Sequence, residues 1–121
     1  MKNAINWVEI PAVDIHRAAA FYSKLYDREL GVIEGGARRL VLLPYEEGGV
    51  GASLNQTENF PPGDKGPLVY LNAGEDLTPM LNRVEAAGGQ IITAKSDLGG
   101  TGFYAMFRDS EGNVVALMSS H

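Results

Sequence analysis

The chain carries one pattern twice. Ile5-Asn6-Trp7-Val8-Glu9-Ile10, then Asp14 and a helical run, is answered by Pro67-Leu68-Val69-Tyr70-Leu71-Asn72, then Asp76 and a second helical run. In each copy an aspartate able to cap a helix follows seven residues after Trp7 or Val69. Each half then continues with two or three strand-like segments. A repeat of this size restricts the fold to architectures in which one supersecondary unit stacks against its own copy. The expectation is an α+β fold of two βαβββ modules, with curled mixed sheets around a concave cavity and helices outside. The modules span about residues 1–60 and 66–121 of a single domain.

Alternation sets the faces. Along Ala4 to Ile10, Val8 and Ile10 share one face and Ile5, Trp7 and Glu9 the other. Pro11 ends the strand. Asp14 opens a helix whose apolar stripe is Ile15, Ala18, Ala19, Tyr22, Leu25 and Tyr26. Gly31-Val32-Ile33 and Leu40 to Leu43 read as a hairpin about Gly35-Gly36, and Val50 to Gln56 as a further strand. Asn59 to Gly66 is a connector by composition. In the second half Leu68 to Asn72 is a strand. The following helix has Leu77, Met80, Leu81, Val84 and Ala87 on one side, Pro79 in its first turn and Gly88-Gly89 at its end. Gln90 to Ala94, Phe103 to Phe107 and Asn113 to Met118 complete the strands. Asp109 to Asn113 is read as a β-turn.

At 121 residues and 45% apolar content the chain builds one modest core. A net charge of −5 disfavours nucleic acid, whose phosphates require basic patches. Arg38-Arg39 is read as a solvated strand edge. No run approaches the roughly 20 apolar residues of a membrane span, and the start lacks the apolar stretch of a secretory signal. A cytoplasmic location is the expectation, with no nucleic acid and no membrane as partner. Zero cysteines exclude disulfides and thiolate sites. The Gly-Gly pairs fit neither a dinucleotide nor a phosphate-loop frame and read as turns and caps.

Taken in order, Trp7-Val8-Glu9-Ile10-Pro11 with Asp14, Arg17-Ala18-Ala19-Ala20-Phe21-Tyr22, Val69-Tyr70-Leu71, Arg83 to Gly89 and Phe107 to Asn113 resemble the vicinal oxygen chelate superfamily. That superfamily holds glyoxalase I, extradiol dioxygenases and bleomycin-resistance proteins. The resemblance spans nearly the whole chain, and Asp109-Ser110-Glu111-Gly112-Asn113 is its sharpest piece. It implies paired modules enclosing a small-molecule cavity, and a homodimer. It also implies a divalent metal held by His and Glu from the first and last strand of each module. Those positions here are Trp7, Val69 (or Tyr70, if the helix start shifts by one), Ser53 and Ala116. None is a His or a carboxylate. The chain has two histidines, of which His121 is terminal and His16 is read as solvated. No metal and no other cofactor is therefore expected, since imidazole is the usual borderline ligand and thiolate is absent.

The resemblance and this departure together imply a protein that binds a small organic molecule in a cavity without the usual metal. The alternative is a superfamily lyase, isomerase or dioxygenase with an atypical metal site or with Glu9 as general base. Expected ligand-binding residues are Trp7, Glu9, Ser53, Phe60, Val69, Tyr104, Ala116 and Met118. Trp7 offers a stacking face and Glu9 a polar anchor for a cationic guest, its pKa raised if it is buried against the indole. Ser53, Ala116 and Met118 are placed on the opposite wall and Phe60 at the mouth. Phe103 is read as core.

Overall fold

The computed structural model describes residues 3–35 and 38–121. The first module comprises β1 (Trp7–Pro11), α1 (Ile15–Tyr26), β2 (Ile33–Gly35), β3 (Arg38–Leu42) and β4 (Gly51–Gln56). The second comprises β5 (Tyr70–Asn72), α2 (Thr78–Arg83), β6 (Gln90–Asp97), β7 (Phe103–Arg108) and β8 (Val114–Ser119). Each forms its own four-stranded sheet, in the orders β1-β4-β3-β2 and β5-β8-β7-β6. In each, the first strand runs parallel to the last and the other pairs are antiparallel. This is the repeated βαβββ unit that the sequence predicts. The turn expected about Gly35-Gly36 falls in part outside the described residues, which omit Gly36 and Ala37. Arg38 and Arg39 sit on β3, an inner strand flanked by β2 and β4, and not on a sheet edge.

One face of each sheet is covered and the other is open. Ile10, Val41, Leu43 and Leu54 pack with Ile15, Ala18, Ala19, Phe21, Tyr22 and Leu25 of α1. Leu71, Ala105, Phe107, Val115 and Leu117 join Leu77, Met80, Leu81 and Val84 around α2 in the same core. Phe21 of α1 lies 5.9 Å from Phe107 of β7, centroid to centroid, so the core is continuous between the modules. Gly89 is required here: a Cβ would stand 2.6 Å from the Arg108 carbonyl and 2.7 Å from the Phe21 ring.

Asp14 caps α1 as expected, Oδ1 accepting from the backbone N–H of His16 at 3.0 Å and of Arg17 at 3.2 Å. Asp27 ends it in the left-handed region, at φ 53°. α2 is shorter than its apolar spacing suggests. Thr78 N–H is bonded to Asp76 Oδ1 at 2.9 Å, and beyond Arg83 the chain continues as irregular turns to Gly88, at φ 105°.

The span from the strand to the aspartate at the helix start is one residue longer in the second module than in the first. Asp14 follows the core-facing Ile10 by four positions, and Asp76 follows the core-facing Leu71 by five. A one-residue offset reverses every side chain on a strand. Val69 therefore packs against the core beside Leu71, and Tyr70 takes the open-face position.

Candidate functional site

A cleft of about 1230 Å³ runs between β1 and β5. Trp7, Glu9, Phe60, Val69 and Tyr70 border it, together with Val50 and the 63–68 segment. Most of this lining is apolar; its charged members are Glu9, Asp64 and Lys65. Phe60 and Pro61 also border a second groove that holds Arg38, Arg39 and Gln56.

Trp7 is fixed on two sides. Its ring stands edge-on to Tyr45, 5.3 Å between centroids and 85° between planes, a favourable arrangement of ring quadrupoles. Its indole Nε1–H donates to Ser53 Oγ at 3.1 Å. Ser53 Oγ lies 2.6 Å from the Asn55 side-chain amide. The amide orientation that suits the surroundings has its nitrogen donating there and reaching the Ser53 and Leu54 carbonyls at 3.3 Å. Gly51 makes room for this corner: a Cβ would meet Trp7 Cζ3 and the Tyr45 ring at 2.8 Å. The indole N–H is thus committed within the protein, while Trp7 keeps 38% of its surface exposed.

Ser53 consequently stands beside Trp7 and not across from it. Glu9 and Ser53 are register partners on adjacent strands, which puts both on one face of the first sheet, but Ser53 is buried behind Trp7's hydrogen bond and lies outside the cleft lining. Tyr104, Ala116 and Met118 share the open face of the second sheet, where Met106 pairs with Ala116 and Tyr104 with Met118. They lie outside the lining of the cleft. Ala116 is fully buried, and Met118 is exposed. Val69 borders the cleft. Phe103 packs on the core as expected, with Lys95 Nζ 4.9 Å above its ring.

Glu9 is not buried against the indole. Its side chain is 43% exposed, and its Oε2 accepts from Arg38 Nη2 at 3.3 Å. The close burial that a catalytic reading of Glu9 invokes is not found. His16 is exposed, as expected, and faces Glu34 at 3.5 Å.

Sequence reading missed the polar centre of the molecule. The Asp109–Asn113 turn is more than a turn: it fastens the second module to the start of α1. Glu111 Oε1 accepts from the backbone N–H groups of Val13 and Asp14, both at 2.8 Å, and its side chain is 1% exposed. Arg17 holds both Glu111 oxygens. Burial alone would raise the Glu111 pKa, but Arg17, the Asp14 N–H and the Ser110 hydroxyl outweigh it and hold the carboxyl below its ordinary range. Asp109 Oδ2 accepts from Tyr22 Oη at 2.8 Å. Burial, and next the Asp109 charge, push the Tyr22 phenol well above its usual value. Asn113 Nδ2 donates to the Pro11 carbonyl at 2.7 Å. These are the residues of the sharpest sequence motif, and their work is to hold the halves together. The signal was an unusual density of carboxylates and amides in a turn preceding a buried strand.

The donor set at the expected metal positions does not fit a divalent ion. Trp7, Val69, Ser53 and Ala116 offer one neutral hydroxyl between them, already bonded to the indole. Among the described residues no three His, Asp or Glu side chains converge to hold a metal. No helix among them is long and apolar enough to cross a membrane.

The sequence profile of the Glyoxalase/Bleomycin resistance protein/Dioxygenase superfamily matches residues 4–117. No curated protein matches the chain at a significant level. Several solved structures share its fold. A glyoxalase/bleomycin resistance protein from Albidiferax ferrireducens T118 superposes with a TM-score of 0.73 at 16% identity, covering 97% of this chain and 98% of that one. A glyoxalase/bleomycin resistance protein/dioxygenase family enzyme from Burkholderia phytofirmans PsJN gives 0.65 at 18% identity, covering 96% and 98%. A V278E mutant of glyoxalase I from Zea mays gives 0.69 at 19% identity, covering 94% of this chain and 45% of that longer one.

Proposed function

The chain belongs to the Glyoxalase/Bleomycin resistance protein/Dioxygenase superfamily, and from that premise we propose that it binds a small organic molecule in the cleft beside Trp7, without the metal of the family's enzymes. The observation that carries the reading is the Trp7–Ser53–Asn55 hydrogen-bonded chain. It occupies two of the positions where the resemblance expects metal ligands, and it holds an aromatic side chain in the cleft lining. An apolar cleft with a few polar groups suits an organic guest. The enzymatic alternative, with Glu9 as general base, is weaker. Glu9 is half open to water and already holds a cation.

A second copy of the chain completes the proposal. Trp7, Leu42, Tyr70 and Met118 leave large apolar surfaces on the open faces of the sheets. A homodimer would cover them. Native mass spectrometry of freshly purified protein tests the whole reading. The expected result is a metal-free dimer that retains or takes up an organic molecule. A stoichiometric metal mass would overturn it.

A further inference from the structure

Resting on that reading, we infer that Arg38 is a tethered stand-in for a cationic group of the ligand. It occupies Glu9 when the cleft is empty and is displaced when the ligand's cation arrives.

Glu9 is a short side chain on β1, part of the cleft wall and two residues from Trp7. Arg38 does not border the cleft; it reaches Glu9 from β3, across β4, and borders the neighbouring groove. The pair is made through one nitrogen, Nη2 to Oε2 at 3.3 Å, and not through the two-pronged geometry that a guanidinium and a carboxylate form when held firmly. Arg38 is 63% exposed, so water readily takes back the guanidinium. Exposed ion pairs of this kind are weak. The carboxylate stands on the shorter stem at the cleft, and the guanidinium on the longer and more exposed one. Beside the carboxylate lies an indole that borders the cleft and whose N–H is spent on Ser53, which leaves its π-system for a guest. A carboxylate and a π-face together recognise a flat cation such as an amidinium, guanidinium or aromatic ammonium. Arg38 is itself a flat cation, which explains its position without requiring that it stay there.

The competition has a sign that a plain binding role for Arg38 would not give. Removing Arg38 should strengthen binding of a cation and leave a neutral molecule of the same shape unaffected. Benzamidine and benzamide form such a pair of probes at pH 7. The chain has a single Trp, so its indole N–H gives one resonance to follow in a titration. Wild type should bind benzamidine more tightly than benzamide. Arg38→Gln should bind benzamidine about two- to fivefold more tightly than wild type, the range expected from releasing an exposed ion pair. Its affinity for benzamide should not change. Glu9→Gln should bring benzamidine down to the level of benzamide. Weaker or unchanged benzamidine binding by Arg38→Gln overturns the inference, as does equal tightening toward both probes. If benzamide still shifts the Trp7 resonance in those cases, the cleft remains a binding site and only the role of Arg38 falls. If neither probe moves the resonance in any variant, the reading of the cleft falls with it.

Discussion

Arg17 grips Glu111 with two nitrogens, Nε 2.7 Å from Oε2 and Nη2 3.1 Å from Oε1, across 94 positions of chain. One end of this contact is the first helix and the other is the turn before the last strand. The carboxylate also satisfies two backbone N–H groups that precede that helix, those of Val13 and Asp14.

Glu111→Ala leaves those donors without their acceptor and should lower stability by about 3 kcal/mol. Urea unfolding followed by circular dichroism measures this. Arg17→Ala should cost clearly less, because the guanidinium is half exposed and the backbone donors keep their partner. Equal losses would show that the ion pair, and not the backbone bonds, dominates.

Acid should release the same contact. The Glu111 pKa is lower folded than unfolded, so the folded protein binds fewer protons at this group. Its contribution is complete above the ordinary value of 4.5 and is lost as pH falls through the depressed folded value. Thermal melts between pH 7 and pH 3 should fall more steeply below that value for wild type than for Glu111→Gln. Parallel curves would remove Glu111 as a source of the acid sensitivity.

Gly51→Ala should disturb the aromatic corner specifically. The new methyl would stand 2.8 Å from both Trp7 and Tyr45, so one ring must move. Overpacking of this kind costs about 1–3 kcal/mol. The fluorescence of Trp7 should shift, and ligand binding in the cleft should weaken. An unchanged emission maximum would mean that the corner is looser than its geometry implies.

Zinc, nickel, manganese or ferrous ion should leave the melting temperature unchanged, and so should a chelator. A specific site stabilises by about 2.7 kcal/mol at a hundredfold excess over its dissociation constant. A saturable rise with any one of these ions would refute the metal-free reading.

Light scattering at micromolar concentration should report twice the 13.0 kDa chain mass. Replacing Leu42 or Tyr70, apolar side chains exposed on the open faces, by a charged residue should shift the protein toward the monomer. A 13.0 kDa particle for the wild type would exclude the dimer.

The repeat and its strand faces were legible in the sequence because they depend on local periodicity. Val8 and Ile10 turn inward, Trp7 and Glu9 outward, and Asp14 caps α1. Features that depend on how two segments meet were not legible. The extra residue before α2 puts Val69 toward the core and Tyr70 outside, and nothing local distinguishes a strand extended by one from a connection lengthened by one. The placement of Ser53 beside Trp7 follows from the parallel β1–β4 register. The Tyr45 contact and the hold of Arg38 on Glu9 likewise require strands that are distant in sequence. Glu111 looked like part of a turn because its partners lie nearly a whole chain away.

That last distance governs how the chain acquires its structure. The N–H groups of Val13 and Asp14 have their acceptor in Glu111, and the Pro11 carbonyl is met by Asn113. A ribosome has therefore to deliver the penultimate strand and its turn before the first helix can be sealed at its leading end. The two halves resemble each other, but polar groups of the first find their partners only in the second. The first half waits, with its opening turn solvated, for the last segment to arrive, and closure of so long a loop belongs to the slow class of folding steps.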